Sequence, residues 1–256
     1  MPPVASLRVQ STEPTSTNLF QPVMGARPAT EIIQQIRELL RARRLKHGDR
    51  LPPERDLAVQ FAVSRNSVRQ ALRSLEEQGL LVVRRGATGG AFIQGGGGSA
   101  VPTLLSDLFS LGAIRPQDLT EVRVLVGVEV ARLACQRGSD EQIAELEANV
   151  RAAQRAADVG DLESRTQLNL EFHRMLARMT GNALLVAITD GVVTVTGEFV
   201  KRIGSTPTNY VMPFRRKLLR LLHARDVDGC AEAMRKHLLK QQALYLAAET
   251  ARADAA

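Results

Sequence analysis

The sequence predicts a mainly α-helical protein of two domains: three helices and a β-hairpin first, then an antiparallel all-α bundle of six to seven helices. Three observations carry that expectation. The run "GGGGS", Gly95 to Ser99, has no side chains to pack and has the composition of a flexible linker, so it divides the chain. Ahead of it, helical spacing of apolar residues gives way to two short apolar runs around a glycine-rich turn, "GLLVVRRGATGGAFIQ". Behind it, apolar residues recur at intervals of three and four from Val101 onward, broken at "GAIRP", "RGSDE", "DVGD", "TGN" and "GSTPTN", with no alternating strand pattern. The resulting boundaries are a flexible tail over residues 1–24, a compact domain over 25–94, a linker over 95–100 and the helical bundle over 101–250.

The tail mixes Pro, Ser, Thr and Gln with few large apolar residues, too little to order a chain. The first helix is expected in "ATEIIQQIRELLRAR", where Ile32, Ile33, Ile36, Leu39 and Leu40 share one side. A second, short helix follows the prolines of "LPPERDLAVQFAV", which suit a first helical turn, with Leu57, Ala58 and Phe61 inward. Ser64 has the character of an N-cap, and Val63 and Val68 flank it at the spacing of a hydrophobic staple, so a third helix starts at Arg65. At 100° per residue Val68, Ala71, Leu72 and Leu75 fall on one side of it. Arg65, Asn66, Arg69 and Arg73 fall on the other, a cationic stripe on an exposed face. The hairpin then carries Arg84, Arg85 and Gly86 at its tip; no Gly-Lys-Ser/Thr follows, so a phosphate-binding loop is not indicated.

Composition limits what such a chain can be. With 256 residues and 44% hydrophobic content it can bury a sizeable core. Its two cysteines, Cys135 and Cys230, make neither a disulfide framework nor a zinc-finger spacing, and a reducing compartment is expected. The start "MPPVASLRVQ" lacks a signal-peptide pattern and no apolar run approaches a membrane span, so a cytoplasmic protein with no membrane partner is expected. The formal charge of +7 is concentrated: residues 25–94 hold 13 Lys/Arg against 7 Asp/Glu, whereas residues 101–256 hold 20 against 19. A basic module for a polyanion is thereby joined to a nearly neutral module with another task.

A tight two-helix turn whose second helix opens with arginines and Asn is the geometry that lays a helix in the major groove of DNA. Arginine pairs bidentately with guanine, and Asn with adenine. The segment "GDRLPPERDLAVQFAVSRNSVRQALRSLEEQGLLVVRRGATGGAFIQ" resembles the winged helix-turn-helix of GntR-family bacterial transcription regulators. The later stretches "LTEVRVLVGVEVARLA", "NLEFHRMLARMTGN" and "HARDVDGCAEAMRKHL" are similar to the FCD effector domain of the FadR subfamily. Together the two likenesses cover about residues 27–245. They imply DNA contacts at Arg55, Arg65 and Arg69, a phosphate contact at Ser64 and a wing tip at Arg85 and Gly86; Asn66, Ser67 and Arg73 complete the expected DNA face. They also imply a homodimer on a pseudo-palindromic, double-stranded operator.

The resemblance further implies a metal held by Asp or Asn and three His on the bundle helices. Asn169, His173 and His237 match three of those positions, each beside an apolar stripe, but the fourth is Arg215. Arginine cannot ligate a cation, and two imidazoles with a neutral amide are a weak set for Zn, Ni or Mn. No cofactor is therefore expected, a divalent metal at Asn169, His173 and His237 being the alternative. Arg215 shares its helix face with Val211, Leu218, Leu219 and Leu222, and a guanidinium among leucines needs an anionic partner. Two readings stand: an ion pair with an internal carboxylate such as Glu171 or Glu129, or a clamp on the carboxylate or phosphate of an effector. Arg123 is a second candidate clamp, making a pocket of Arg123, Asn169, His173, Arg215 and His237 for a small carboxylate or sugar acid; an acyl-CoA is the larger alternative. The expected function is a sequence-specific transcription regulator, a repressor, controlled by that effector, and not an enzyme. Competing readings are a metal-dependent enzyme built on His173 and His237, which lacks a third ligand and a general base, and a nonspecific nucleic-acid-binding protein, which leaves the bundle unexplained.

Overall fold

Proline at the first turn and an Ile/Leu stripe start the first helix where the sequence places it. In the computed structural model, which describes residues 19–25, 27–86, 89–94, 100–204 and 210–254, α1 spans Pro28–Arg41 and buries Ile32, Ile36 and Leu39. Helix α2 (Glu54–Gln60) buries Leu57 and Ala58, and Phe61 closes it at 0% exposure. The turn into α3 (Arg65–Glu77) passes through Ala62 at φ 54°, the left-handed region. The Ser64 hydroxyl then accepts from the Ser67 amide at 3.1 Å, the N-cap expected there. Helix α3 buries Val68, Ala71, Leu72 and Leu75, which leaves the arginine stripe outward.

Strands β1 (Leu81–Arg84) and β2 (Gly90–Ile93) pair antiparallel, with Val82 opposite Phe92 and Arg84 opposite Gly90. The other edge of β2 is taken by residues 48–51: Leu51 N–H donates to the Ala91 carbonyl and Ile93 N–H to the Asp49 carbonyl, each at 2.8 Å. At the tip Gly86 holds φ 112°, where an L side chain is strained, and its carbonyl accepts from the Gly89 N–H at 2.8 Å. Residues 87–88 of the turn lie outside the described residues, as do residues 1–18 of the expected tail, Gly95–Ser99 of the linker and residues 205–209 of the "GSTPTN" break.

The tail is shorter than its composition suggested. Phe20 is 2% exposed and packs on Phe61 with ring centroids 4.9 Å apart, and Leu19 and Val23 lie against the same core, so this stretch is anchored on the first unit although Gln21, Pro22 and Met24 are exposed. One phenylalanine among polar residues carries no periodicity, which is why the pattern hid it.

Seven helices form the second unit among the described residues: α4 (Ala100–Ser110), α5 (Pro116–Arg137), α6 (Asp140–Asp158), α7 (Leu162–Met179), α8 (Ala183–Ile203), α9 (Val211–His223) and α10 (Val227–Asp254). Their starts follow local chemistry. Ser139, Asp161 and Asn182 accept from first-turn amides of α6, α7 and α8, and a Ser139/Gln142 capping box doubles the first of these. The last helix runs past residue 250, the expected end of the bundle, to Asp254. Helices α5 and α10 pack along each other, as do α6 and α7, and α4 and α8. Leu146, Phe172, Leu176, Leu218, Leu222 and Met234 anchor one core, while Phe109, Val195, Phe199 and Tyr245 anchor a smaller one.

Helix α8 corrects the expectation that no segment approaches a membrane span. Its 21 residues have the length and a mean hydropathy of 1.6 that such a span requires. Its sides nevertheless meet α4, α5 and α7, and Asp190 on it is ion-paired to Arg174 of α7, as suits the central helix of a bundle.

Candidate functional site

Two surfaces gather the chemistry. On the first unit, Arg55, Arg65, Asn66, Arg69 and Arg73 are exposed, and Ser67 is half-buried behind the Ser64 cap. Arg69 is held rather than free: its Nε and Nη2 reach Glu54 Oε2 at 3.2 and 3.0 Å, an aligned fork that also raises the Arg69 pKa. Arg55 lies 3.9 Å from Asp56 and is otherwise open to solvent. A concave surface of about 500 Å³ runs between α3 and the hairpin, lined by Arg50, Glu54, Arg69, Arg73, Glu76 and Arg85 among others. The Val83 N–H donates to Glu76 Oε1 at 3.0 Å and ties the hairpin to α3, so Arg85 and Gly86 stand exposed at a fixed edge of that surface. Arg50, which the sequence reading left out, belongs to it: its Nη2 donates to the Gly89 carbonyl, bracing the hairpin turn. Only the folded pairing of residues 48–51 with β2 brings it there.

In the second unit a cavity of about 280 Å³ is lined from α5, α7, α8, α9 and α10. All five residues expected there line it: Arg123, Asn169, His173, Arg215 and His237. The sequence reading missed Arg165, Thr196, Lys201, Tyr210, Gln241 and Tyr245. Four of its lining residues are Arg or Lys and none is Asp or Glu.

Arg215 is 2% exposed, stands 4.4 Å over the Phe172 ring and donates from Nη2 to the Asn169 carbonyl at 3.2 Å; its Nη1 has no partner among the described residues. Burial lowers its pKa to about 10. The internal ion-pair reading is overturned by where the carboxylates go: Glu171 binds Arg178, and Glu129 binds Arg132. Arg123, 8% exposed, donates to the neutral Gln241 Oε1 at 2.7 Å and lies 5.7 Å over Tyr245; burial lowers its pKa as well. His237 stacks on Phe214 at 3.7 Å, and its Nδ1 is unpartnered among the described residues. Burial first, then Arg123, Arg215 and Lys240, bring its pKa down to about 3. His173 is pushed well below the usual imidazole range by burial, Arg123, His237 and Arg215. Both rings are therefore neutral at physiological pH, and the charge in the cavity belongs to the guanidiniums and the Lys201 ammonium. His223 is elsewhere, 2.8 Å from Glu147 on the outer face.

A basic helix-turn-helix with a hairpin, joined to a helical bundle with an internal cationic cavity, matches known proteins in both parts. The family model for bacterial regulatory proteins of the gntR family matches residues 28–93, and that for the FCD domain matches residues 118–240. An HTH-type transcriptional regulator of Mycobacterium tuberculosis is 31% identical over 170 residues, covering 66% of this chain and 68% of the relative. The chain belongs to the GntR family. Among the similar relatives of this GntR regulator, the putative L-lactate dehydrogenase operon regulatory protein of Escherichia coli is 28% identical over 228 residues, 84% of this chain and 85% of that protein. The transcriptional repressor NanR of Salmonella newport is 25% identical over 225 residues, 85% of each chain. The solved structure of a Streptococcus agalactiae GntR protein aligns at a TM-score of 0.63 and 25% identity, covering 84% of this chain and 98% of that one. This GntR protein is accordingly a DNA-binding transcription regulator whose second domain is an FCD effector-binding domain.

Proposed function

We propose that this regulator is a FadR-subfamily repressor that binds a pseudo-palindromic operator as a homodimer in the bacterial cytoplasm and is controlled by a small carboxylate. The observation that carries the effector class is a cavity wall whose charged side chains are all cationic, with Arg215 buried, unpaired by any described carboxylate and offering an open N–H. A cavity of about 280 Å³ lies at the small end of ligand sites, which favours a metabolite over an acyl-CoA. Two relatives support the reading: one is named for an operon of L-lactate dehydrogenase, whose substrate is a carboxylate, and another is named a repressor.

On the DNA side, Arg65, Asn66 and Arg69 read base edges. Ser64, Ser67, Arg73 and Arg55 hold phosphates, and Arg85 with Gly86 forms the wing contact. The cavity does not fit a resident divalent metal. Asn169, His173 and His237 share it, but they supply one neutral amide and two imidazoles beside two guanidiniums, and no three His, Cys, Asp or Glu gather as a ligand set among the described residues. The function is regulatory rather than catalytic.

Footprinting on the DNA that flanks the protein's own gene, with and without candidate carboxylates, tests the proposal. A protected inverted repeat that one acid releases is the expected result. Protection of random DNA at equal affinity would instead leave a nonspecific binder.

A further inference from the structure

The cavity holds more positive charge than one carboxylate can neutralise. Arg123 projects from α5 and Arg215 from α9, both are less than a tenth exposed, and neither is paired with a carboxylate among the described residues. Their hydrogen-bond acceptors are a neutral amide and a backbone carbonyl. Nearby acids are committed elsewhere, Asp190 to Arg174 and Glu249 to Arg202. Two uncompensated guanidiniums in one small space are a standing electrostatic cost, and a monoanion would relieve only one of them. Hydrogen-bonding capacity points the same way. Six buried side-chain polar atoms lack a partner among the described residues, and three of them, Arg165 Nε, Arg215 Nη1 and His237 Nδ1, belong to residues that line this cavity.

We infer that the effector is a small dianion, a dicarboxylate whose two anionic groups engage Arg123 and Arg215 separately, with no metal between ligand and protein. This rests on the carboxylate-controlled reading above and narrows it. The neutral imidazoles of His173 and His237 add hydrogen bonds without adding charge, and Tyr210 and Tyr245 bound the space between them with apolar rings that also carry hydroxyls. Arg165, half-buried, and Lys201, exposed, stand at the more open part of the wall, where they favour entry of an anion.

The test uses the full-length protein dialysed against chelator. Titration calorimetry compares malonate, succinate, glutarate and malate with their own monoamides, so that within each pair the skeleton is shared and only one charge is removed. For at least one skeleton the diacid should bind about tenfold or more tighter than its monoamide. Arg123→Gln and Arg215→Gln should each bring the two within about twofold, because either leaves a single charge to meet. Circular dichroism and the unfolding midpoint of each variant establish that it is folded, and the wild-type comparison decides the matter without them. A monoamide that binds as tightly as its diacid overturns the dianion inference while the carboxylate reading survives. If neither diacids nor monoacids bind, the carboxylate reading falls and the inference falls with it. Diacid binding that appears only after a divalent metal is restored also overturns the inference.

Discussion

Arg69 illustrates how a single side chain can be ordered before it meets a ligand. On an exposed helix face an arginine has many rotamers, and ordering it on DNA costs entropy. The contact of Nε and Nη2 with Glu54 of α2 removes much of that freedom beforehand. Replacing Arg65 or Arg69 by Ala should weaken specific operator binding by roughly tenfold to a hundredfold in fluorescence anisotropy, while affinity for random DNA falls much less. Glu54→Gln should blur discrimination at the base read by Arg69 without altering the fold; unchanged sequence preference would show that the fork is incidental. His237 makes a second residue-scale case. The imidazole, stacked on Phe214 and facing Tyr210, Arg123, Arg215 and Lys240, takes up its proton only near pH 3 in the folded chain, whereas the unfolded chain takes it up near 6.5. Below pH 6.5 the unfolded state therefore binds more protons, so stability present above 6.5 is lost progressively as pH falls toward 3. The limiting slope is about 1.4 kcal/mol per pH unit, and His173 steepens it in the same direction. Urea unfolding of wild type and His237→Gln between pH 7.5 and 4.5 should show a flatter dependence in the variant.

Among the elements, the α2–α3 turn is the most constrained. Ala62 sits at φ 54° because α3 must leave α2 within the four residues 61–64, and its amide and that of Val63 still find the Val59 and Ala58 carbonyls at 3.1 and 3.0 Å. An L side chain in that region is strained by about 1 to 2 kcal/mol, and glycine returns part of this as greater freedom in the unfolded chain. Ala62→Gly should thus stabilise the first unit by about 0.5 to 1 kcal/mol, measured as a rise in the denaturation midpoint with an unchanged denaturant slope. A loss of stability would mean that the Ala62 methyl makes packing contacts that outweigh the strain. Helix α8 teaches a different point. Its apolar length comes from being packed among other helices, and its two carboxylic side chains both find partners: Asp190 with Arg174, and Glu198 with the Ser106 hydroxyl at 2.9 Å.

For the whole molecule, the uneven charge predicts how binding responds to salt. The first domain holds a surplus of six positive charges, so operator affinity should fall steeply with ionic strength if that domain neutralises phosphates. Arg85→Ala should weaken binding to every sequence alike and reduce the salt slope by about 1, because one phosphate contact is lost. Loss of discrimination at a single base pair would instead place Arg85 on a base edge. Effector control then requires that the second domain bind its ligand differently in the DNA-competent and DNA-released states, a coupling read as a shift in operator affinity at saturating ligand.

Much of this was written in periodicity and local chemistry. The inward faces of α1, α2 and α3, the Ser64 cap and the outward arginines follow from residue spacing, because a regular helix converts sequence intervals into angles. The five cavity residues were legible in another way: the resemblance to the FCD domain implies a site at Asn169, His173, Arg215 and His237 and marks Arg123 as a matching arginine, and each also adjoins an apolar stripe. What the tertiary structure decided is which polar groups meet. Arg165, Lys201, Tyr210, Gln241 and Tyr245 read as ordinary residues of or beside helices until five helices converge on one space, and Arg50 joins the concave basic surface only through its pairing with β2. The state of Arg215 was settled in the same way. Sequence spacing allowed Glu171 or Glu129 as its partner, but helix packing sends those carboxylates to Arg178 and Arg132 and leaves the guanidinium facing the cavity. Pairing across helices depends on distances that no single-helix pattern contains.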